Sequence, residues 1–279
     1  MLVASVAGLA VFAWLLVAFD TKKVRDAAPG DAASAAPSGS PPPVGSTDAP
    51  RVPSPAGDPL TPESTSVLGD DSFKVLVFTV PLDRGRLALV GLPKDKPAGL
   101  AAVREETRAS FVINAGFFDT KGAPEGLGVS RGVELRAGSR SLGGGVLAVA
   151  EGRGALFPAE GFAPRAGLDF AIQSKPRLVV DGASNIERDD GKSAERTALC
   201  LRNEGRTLEV VVARGEQPGK GPTLSLLADM LVSRGCDGAL NLDGGPSTGV
   251  AYRPEGGDVI ELAPRGMIRE ALAVWVTEP

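Results

Sequence analysis

Apolar and polar positions change rhythm twice along the chain. Residues 2–19 form 18 consecutive uncharged, mostly apolar positions, just reaching the length of a membrane-spanning helix. Residues 27–66 are rich in Ala, Pro, Ser and Gly and nearly free of large apolar side chains. Such a stretch has too little to bury and reads as a semi-extended tether. From about residue 70 the pattern becomes a succession of short apolar and β-branched runs separated by Gly-rich turns: 73–80, 87–91, 111–113, 145–150, 177–180, 197–201, 208–213, 239–242 and 271–276. These runs predict strands. The run 73–80 is apolar at both parities, which predicts a strand covered on both faces.

Two segments have helical period instead. One covers residues 98–108. The other covers 224–234, with Leu224, Leu227, Ala228 and Leu231 on one face, Thr223 placed as N-cap and Gly235 just past the end. Many strands and few helices, without regular strand–helix alternation, predict an α+β fold: a mixed β-sheet core with a few packed helices in one domain over 70–279.

The N-terminal run fits either an uncleaved membrane anchor (1–20) or a signal-peptide core, followed by a tether over 21–69. No small-residue cleavage site directly follows the run. An anchor and a tether predict an extracytoplasmic domain, membrane-anchored or secreted. Lys22, Lys23 and Arg25 pull the other way, because basic residues flanking a span favour the cytoplasmic side.

Charge and composition narrow the chemistry. A net charge of −4 gives no bulk basic field for nonspecific nucleic-acid binding. The chain has no histidine, which removes Ser-His-Asp and Cys-His nucleophile systems, imidazole bases and the usual zinc-water sites together. Cys200 and Cys236 are the only cysteines. They fit two buried free thiols, or a disulfide if their strands are neighbours in an oxidising compartment.

Four segments concentrate polar groups at strand ends. Asn241-Leu242-Asp243-Gly244-Gly245-Pro246-Ser247-Thr248 puts a carboxylate before two glycines, fitting either an Asp-Gly turn or backbone amides brought close to a ligand. Asn114-Ala115-Gly116-Phe117-Phe118-Asp119 follows a strand, and Gln173-Ser174-Lys175-Pro176 precedes one. Glu195-Arg196-Thr197 leads an arginine into a strand, where its planar fork suits either a phosphate or a surface ion pair. Asp119 and Asp243 are too few acidic ligands to predict a metal site, and no cofactor motif is present.

In their order these segments, with Thr223-Leu224 and Arg269 before the last strand, resemble the phosphodiester glycosidase family over residues 72–279. The chain departs from the family pattern at Ala115, at Ser174-Lys175 and at Pro246. The resemblance implies hydrolysis of a sugar-1-phosphodiester in an extracytoplasmic glycan, with a phosphate-linked sugar or polysaccharide as partner. Asp243 is then nucleophile or general base, and Asp119 or Glu125 the acid. Arg196 with the Gly244 and Gly245 amides would hold phosphate. Asn114, Gln173, Ser174, Thr197 and Ser247 would meet the sugar. The competing reading is a non-catalytic polysaccharide-binding module using the same pocket.

Overall fold

A computed structural model of the chain describes residues 56–67, 69–70, 72–93 and 99–277. The expected anchor, and the tether up to residue 55, lie outside these residues. The described chain runs β1 (Glu63–Val67), β2 (Phe73–Pro81), β3 (Gly85–Gly91), α1 (Leu100–Thr107), β4 (Phe111–Asn114), β5 (Gly128–Ser130), β6 (Val133–Arg136), β7 (Gly145–Ala150) and β8 (Arg153–Pro158). It continues β9 (Phe170–Ser174), β10 (Arg177–Val180), β11 (Ala183–Ser184), β12 (Arg196–Arg202), β13 (Thr207–Arg214), α2 (Leu224–Ser233), β14 (Gly238–Asn241), β15 (Val250–Tyr252), β16 (Ile260–Leu262) and β17 (Glu270–Val276).

The strands form three sheets, in the orders β1-β2-β13-β12-β14-β10-β11, β16-β15-β4-β17-β3 and β6-β5-β9-β7-β8. Every pairing is antiparallel. This corrects the expected α+β class with a mixed sheet: the domain is mostly β-sheet. The physical reason lies in the connections. Parallel neighbours need crossovers of a dozen or more residues, usually helical. Here tight turns join β5 to β6, β7 to β8 and β12 to β13.

One core sits between the inner faces of all three sheets, with Phe78, Phe111, Ile113, Leu147, Ile172, Leu199 and Leu240 fully buried in it. Each outer face has its own cover. Helix α2 packs Leu227, Ala228 and Leu231 onto Val75, Val77, Val211 and Ala239 of the seven-stranded sheet. Helix α1 packs Leu100 and Val103 onto Val112, Ala251 and Ala273. Ala159, Phe162 and Leu168, from the segment after β8, cover Val129, Val146 and Ala171. Strand β2 buries both parities, as its pattern predicts, because one face joins the shared core and the other meets α2.

Thr223 caps α2 as expected, its side chain accepting from the Leu226 amide. The helix closes through Gly235 at φ +80°, with Gly235 N donating to Val232 O at 2.8 Å and Cys236 N to Leu231 O at 3.1 Å. That reversal brings Cys236 against β12, where it forms a disulfide with Cys200 at a Cα–Cα distance of 5.6 Å.

The domain begins earlier than the residue-70 boundary. Strand β1 pairs with β2 from Glu63 to Val67. Upstream of it, the Gly57, Asp58 and Leu60 amides donate to the carbonyls of Arg108, Val276 and Arg253. Composition could not show this, because backbone groups make the attachment and β1 is almost wholly exposed. Among the described residues no helix is long and apolar enough to cross a membrane.

Candidate active site

Three strand ends meet around Asp243. Strand β4 delivers Asn114, β12 opens with Arg196 and Thr197, and β14 runs out through Leu242 into Asp243. Asn114 is buried, at 1% exposure, and its amide welds the three together. Its Nδ2 donates to the Asp243 carbonyl at 2.6 Å. Its Oδ1 accepts from Thr197 Oγ1 at 2.7 Å and from Gly249 N at 3.2 Å. Backbone bonds complete the joint: Leu242 N donates to Thr197 O at 2.8 Å and Asp243 N to Ala115 O at 3.2 Å.

The Asp243 carboxyl is half-buried. Its Oδ1 accepts from Gly244 N at 2.9 Å. Burial raises its pKa above the usual carboxylate range, against the opposing hydrogen bonds of Ser247 and the Gly244 amide. The Ser247 hydroxyl has Met267 O, at 3.1 Å, as a second acceptor for its single proton, which links the 3-10 turn Gly245–Ser247 to the segment before β17. Glycine at 244 is required by close approach, since a Cβ there would stand 2.9 Å from Glu195 O. Gly245 N donates to that same carbonyl at 2.7 Å. The two glycine amides expected to hold phosphate are therefore both committed, one to the Asp243 carboxylate and one to Glu195.

Arg196 lies beside this turn, its Cα and Cδ each 3.8 Å from the place of a Cβ on Gly244. Its Nε donates to Pro222 O at 3.3 Å and its Nη2 to Lys192 O at 2.9 Å. Burial lowers its pKa, with Asp190, Asp189 and Glu195 acting in the other direction. Both recorded bonds go to carbonyls, which hold the side chain without neutralising it.

The remaining expected residues are placed as follows. Gln173 is buried and faces the 138–144 loop. Its Oε1 accepts from Leu127 N at 3.1 Å and Ser139 N at 2.8 Å, and its Nε2 donates to Ser139 O at 2.7 Å and Gly143 O at 3.0 Å. Glu125 supports the same loop, accepting from Ser139 Oγ at 2.9 Å and Ser141 Oγ at 3.2 Å. Asp119 caps its own turn, accepting from the Lys121 and Ala123 amides at 2.8 Å each. Ser174 is fully buried, and its hydroxyl has no hydrogen-bond partner among the described residues. Asn114, Arg196, Thr197, Asp243, Gly244, Gly245 and Ser247 thus share one cluster. The Gln173, Glu125 and Asp119 side chains serve neighbouring loops.

Three further participants are not among the expected site residues, although Asn241 and Glu195 stand in segments the sequence singles out. Asn241 donates through Nδ2 to Lys175 O at 2.9 Å and Leu242 O at 2.6 Å, clamping the 174–176 turn beside Asp243. Glu195, 2% exposed, accepts from Arg265 Nη1. Glu270, at the head of β17, takes both arms of Arg136 at 2.5 and 2.8 Å while its carbonyl accepts from Ala115 N at 3.0 Å. Long-range pairs between charged residues in polar segments leave no periodic trace. Among the described residues, the one grouping of metal-ligating types is Cys200, Glu209 and Cys236. The disulfide occupies both sulfurs, and Arg202 and Arg234 hold Glu209, so the grouping does not fit a metal.

Comparison with known proteins identifies the fold and the family. The fold is shared with a hypothetical protein from Synechocystis at TM-score 0.59 and 17% identity, over 78% of this chain and 62% of that one. It is shared with the catalytic domain of zebrafish N-acetylglucosamine-1-phosphodiester alpha-N-acetylglucosaminidase, auto-inhibited by its pro-peptide, at TM-score 0.61 and 16% identity, over 81% and 85% of the two chains. A Burkholderia pseudomallei protein matches at TM-score 0.52 and 14% identity, over 73% and 74%. No curated protein sequence matches. The phosphodiester glycosidase family model covers residues 107–274, a span that runs from just before β4 into β17 and takes in every strand end that meets at Asp243. The chain belongs to the phosphodiester glycosidase family.

Proposed function

We propose that the chain hydrolyses a sugar-1-phosphodiester, with Asp243 as the carboxylate at the anomeric carbon. The observation that carries this reading is the isolation of Asp243: a half-buried carboxyl with a raised pKa, fixed through its own backbone by Asn114 and Ala115. A carboxylate of raised pKa is a stronger base than an exposed one. It takes a proton from water as the water oxygen bonds to C1. The C1–O bond to phosphate breaks, and its electron pair leaves with the phosphate. A phosphate ester leaves readily, so a histidine-free chain does not need a strong general acid on that oxygen. Arg196, whose hydrogen bonds go only to carbonyls, supplies positive charge for the departing phosphate.

An extracytoplasmic setting is part of the proposal. The Cys200–Cys236 disulfide supports it, because such bonds persist in oxidising compartments. The apolar run at 2–19 supports it as well.

The test is an assay of the purified chain on hexose- and N-acetylhexosamine-1-phosphodiesters carrying a small alkyl group. Asp243→Asn should lower turnover by roughly two orders of magnitude or more. Arg196→Ala should raise KM and lower kcat together, since it meets phosphate in ground and transition states alike. Full activity in Asp243→Asn would remove the proposed chemistry.

A further inference from the structure

We propose that the cavity beside Gln173 is an anion-binding groove that takes a phosphate-bearing stretch of the substrate polymer, across β14 from Arg196. Its volume is about 840 Å³, and its walls are the 138–144 loop, the segment after β8, and Gln173 with Arg177. Asp243 does not line it. The identity of the ligand rests on the phosphodiester reading above; the anion preference rests on the groove itself.

The first support is that two unpaired arginines share one cavity. Arg136 is paired with Glu270 and Arg265 with Glu195. Arg214 donates to the Thr248 and Ala263 carbonyls, and Arg196 to those of Pro222 and Lys192. Arg140 and Arg177, which both line the groove, make no ion pair or side-chain hydrogen bond among the described residues. Lys175, exposed and equally unpaired, packs its Cβ 2.6 Å from the place of a Cβ on Gly144, itself a groove residue. Glu160 is the one carboxylate in the lining. Two uncommitted arginines against one carboxylate in the lining, with Lys175 and Glu125 as neighbours, on a chain of net charge −4, make a local positive site that a polyanion would find.

The second support is rigidity. Gln173 uses both of its polar atoms in four hydrogen bonds, three of them to the loop that forms one wall, and Glu125 holds Ser139 and Ser141 of the same loop. A wall fastened in the free protein has less ordering entropy to lose when a ligand arrives. The third support is position. The 174–176 turn separates β9 from β10 at the groove, and Asn241 binds the carbonyls of both Lys175 and Pro176, at 2.9 and 3.0 Å, two residues before Asp243. Glu125 and Gln173 then shape the wall that the polymer lies against.

The experiment measures binding of poly(glycerol phosphate) and of neutral dextran to the full chain at low and moderate salt. The Arg140→Ala/Arg177→Ala double variant is compared with an Arg84→Ala/Arg86→Ala double variant, which removes the same charge elsewhere. The groove variant should weaken poly(glycerol phosphate) binding roughly tenfold and flatten its salt dependence, with the control within about twofold. Equal losses in both variants, or dextran bound as tightly as the polyanion, would overturn the groove. A single-stranded oligonucleotide bound more tightly than poly(glycerol phosphate) through the same arginines would overturn the glycan assignment. The two proposals fail separately. Arginine-dependent binding without hydrolysis of any 1-phosphodiester leaves the groove and removes the enzyme. Asp243-dependent hydrolysis without arginine-dependent binding leaves the enzyme and removes the groove.

Discussion

Asn114 and Asp243, 129 positions apart, are joined by a 2.6 Å hydrogen bond from the Asn114 amide to the Asp243 carbonyl. The bond goes to the backbone of Asp243, so it fixes where the carboxyl starts without consuming it. The other end of the Asn114 side chain is equally committed, to Thr197 and Gly249. Asn114→Ala therefore leaves three buried groups without partners. It should destabilise the domain by about 3 kcal/mol, read as a shifted urea midpoint at constant slope. Thr197→Val removes one of the three bonds and should cost about 1 kcal/mol. Asn114→Asp keeps the acceptor but turns an oxygen toward the Asp243 carbonyl, and should be at least as damaging as alanine. A mild Asn114→Asp variant would show that the amide is not the joint.

The raised pKa of Asp243 has a sign that stability measurements can read. Burial raises the folded-state value above the unfolded one. Between those two values the folded chain holds more protons, so stability falls as pH rises through that window. Below the unfolded pKa the penalty is absent; above the folded pKa it is fully present. Asp243→Asn carries no such charge. It should match the wild type in acid and exceed it at neutral pH, in denaturation curves at several pH values. A variant less stable than wild type at neutral pH would mean that the carboxylate is held by contacts stronger than its burial penalty.

Much of the fold is legible in the residues because burial writes a pattern. Eight of the nine apolar runs lie within a strand, the run 239–242 passes the end of β14 by one residue, and both helices fall where the helical spacing puts them. What the pattern does not carry is direction. A run such as 177–180 reads the same in a parallel or an antiparallel sheet, and only the tight turns decide. Strand β6 exposes Val133 at 60% and Leu135 at 51%, so no buried face marks it in advance. The site divides the same way. Asn114, Thr197 and Asp243 stand at the ends of strands that the pattern locates, and they meet. Gln173 stands at a strand end too, but its side chain turns to the 138–144 loop, and alternation along β9 does not reveal what lies on that side. Glu195 with Arg265 and Arg136 with Glu270 pair across segments that carry no repeat.

The disulfide closes the segment between Cys200 and Cys236, a sequence separation of 36. That segment includes β13 and α2. In the loop-entropy picture a closure of this length contributes about 4 kcal/mol. Cys200→Ser/Cys236→Ser should lower stability by about that amount, and reducing agent should do the same to the wild type while leaving the double variant unchanged. A wild type indifferent to reductant would mean that the pair contributes nothing to the folded state.

Glu195 and Arg265 tie together three loops around Asp243. The Glu195 carboxylate accepts from Arg265 and, at 3.2 Å, from Gly219 N, while its carbonyl accepts from Gly245 N at 2.7 Å. Arg265 reaches further, donating to Gly215 O at 3.0 Å and Glu216 O at 2.5 Å. The pair is mostly shielded, with side-chain exposures of 3% for Glu195 and 24% for Arg265. Removing one member leaves a poorly solvated charge, so Glu195→Gln and Arg265→Met should each cost about 3 kcal/mol. The double variant removes both charges and should cost less than the two losses added, with a coupling above about 1 kcal/mol. The loosening should appear locally as faster amide exchange over residues 245–249 and 263–267, since Gly245 hangs on the Glu195 carbonyl and the Gly266 amide on Pro246. Strictly additive losses, or exchange that quickens evenly across all three sheets, would mean that the pair stabilises the fold at large and does not hold the loops of the site.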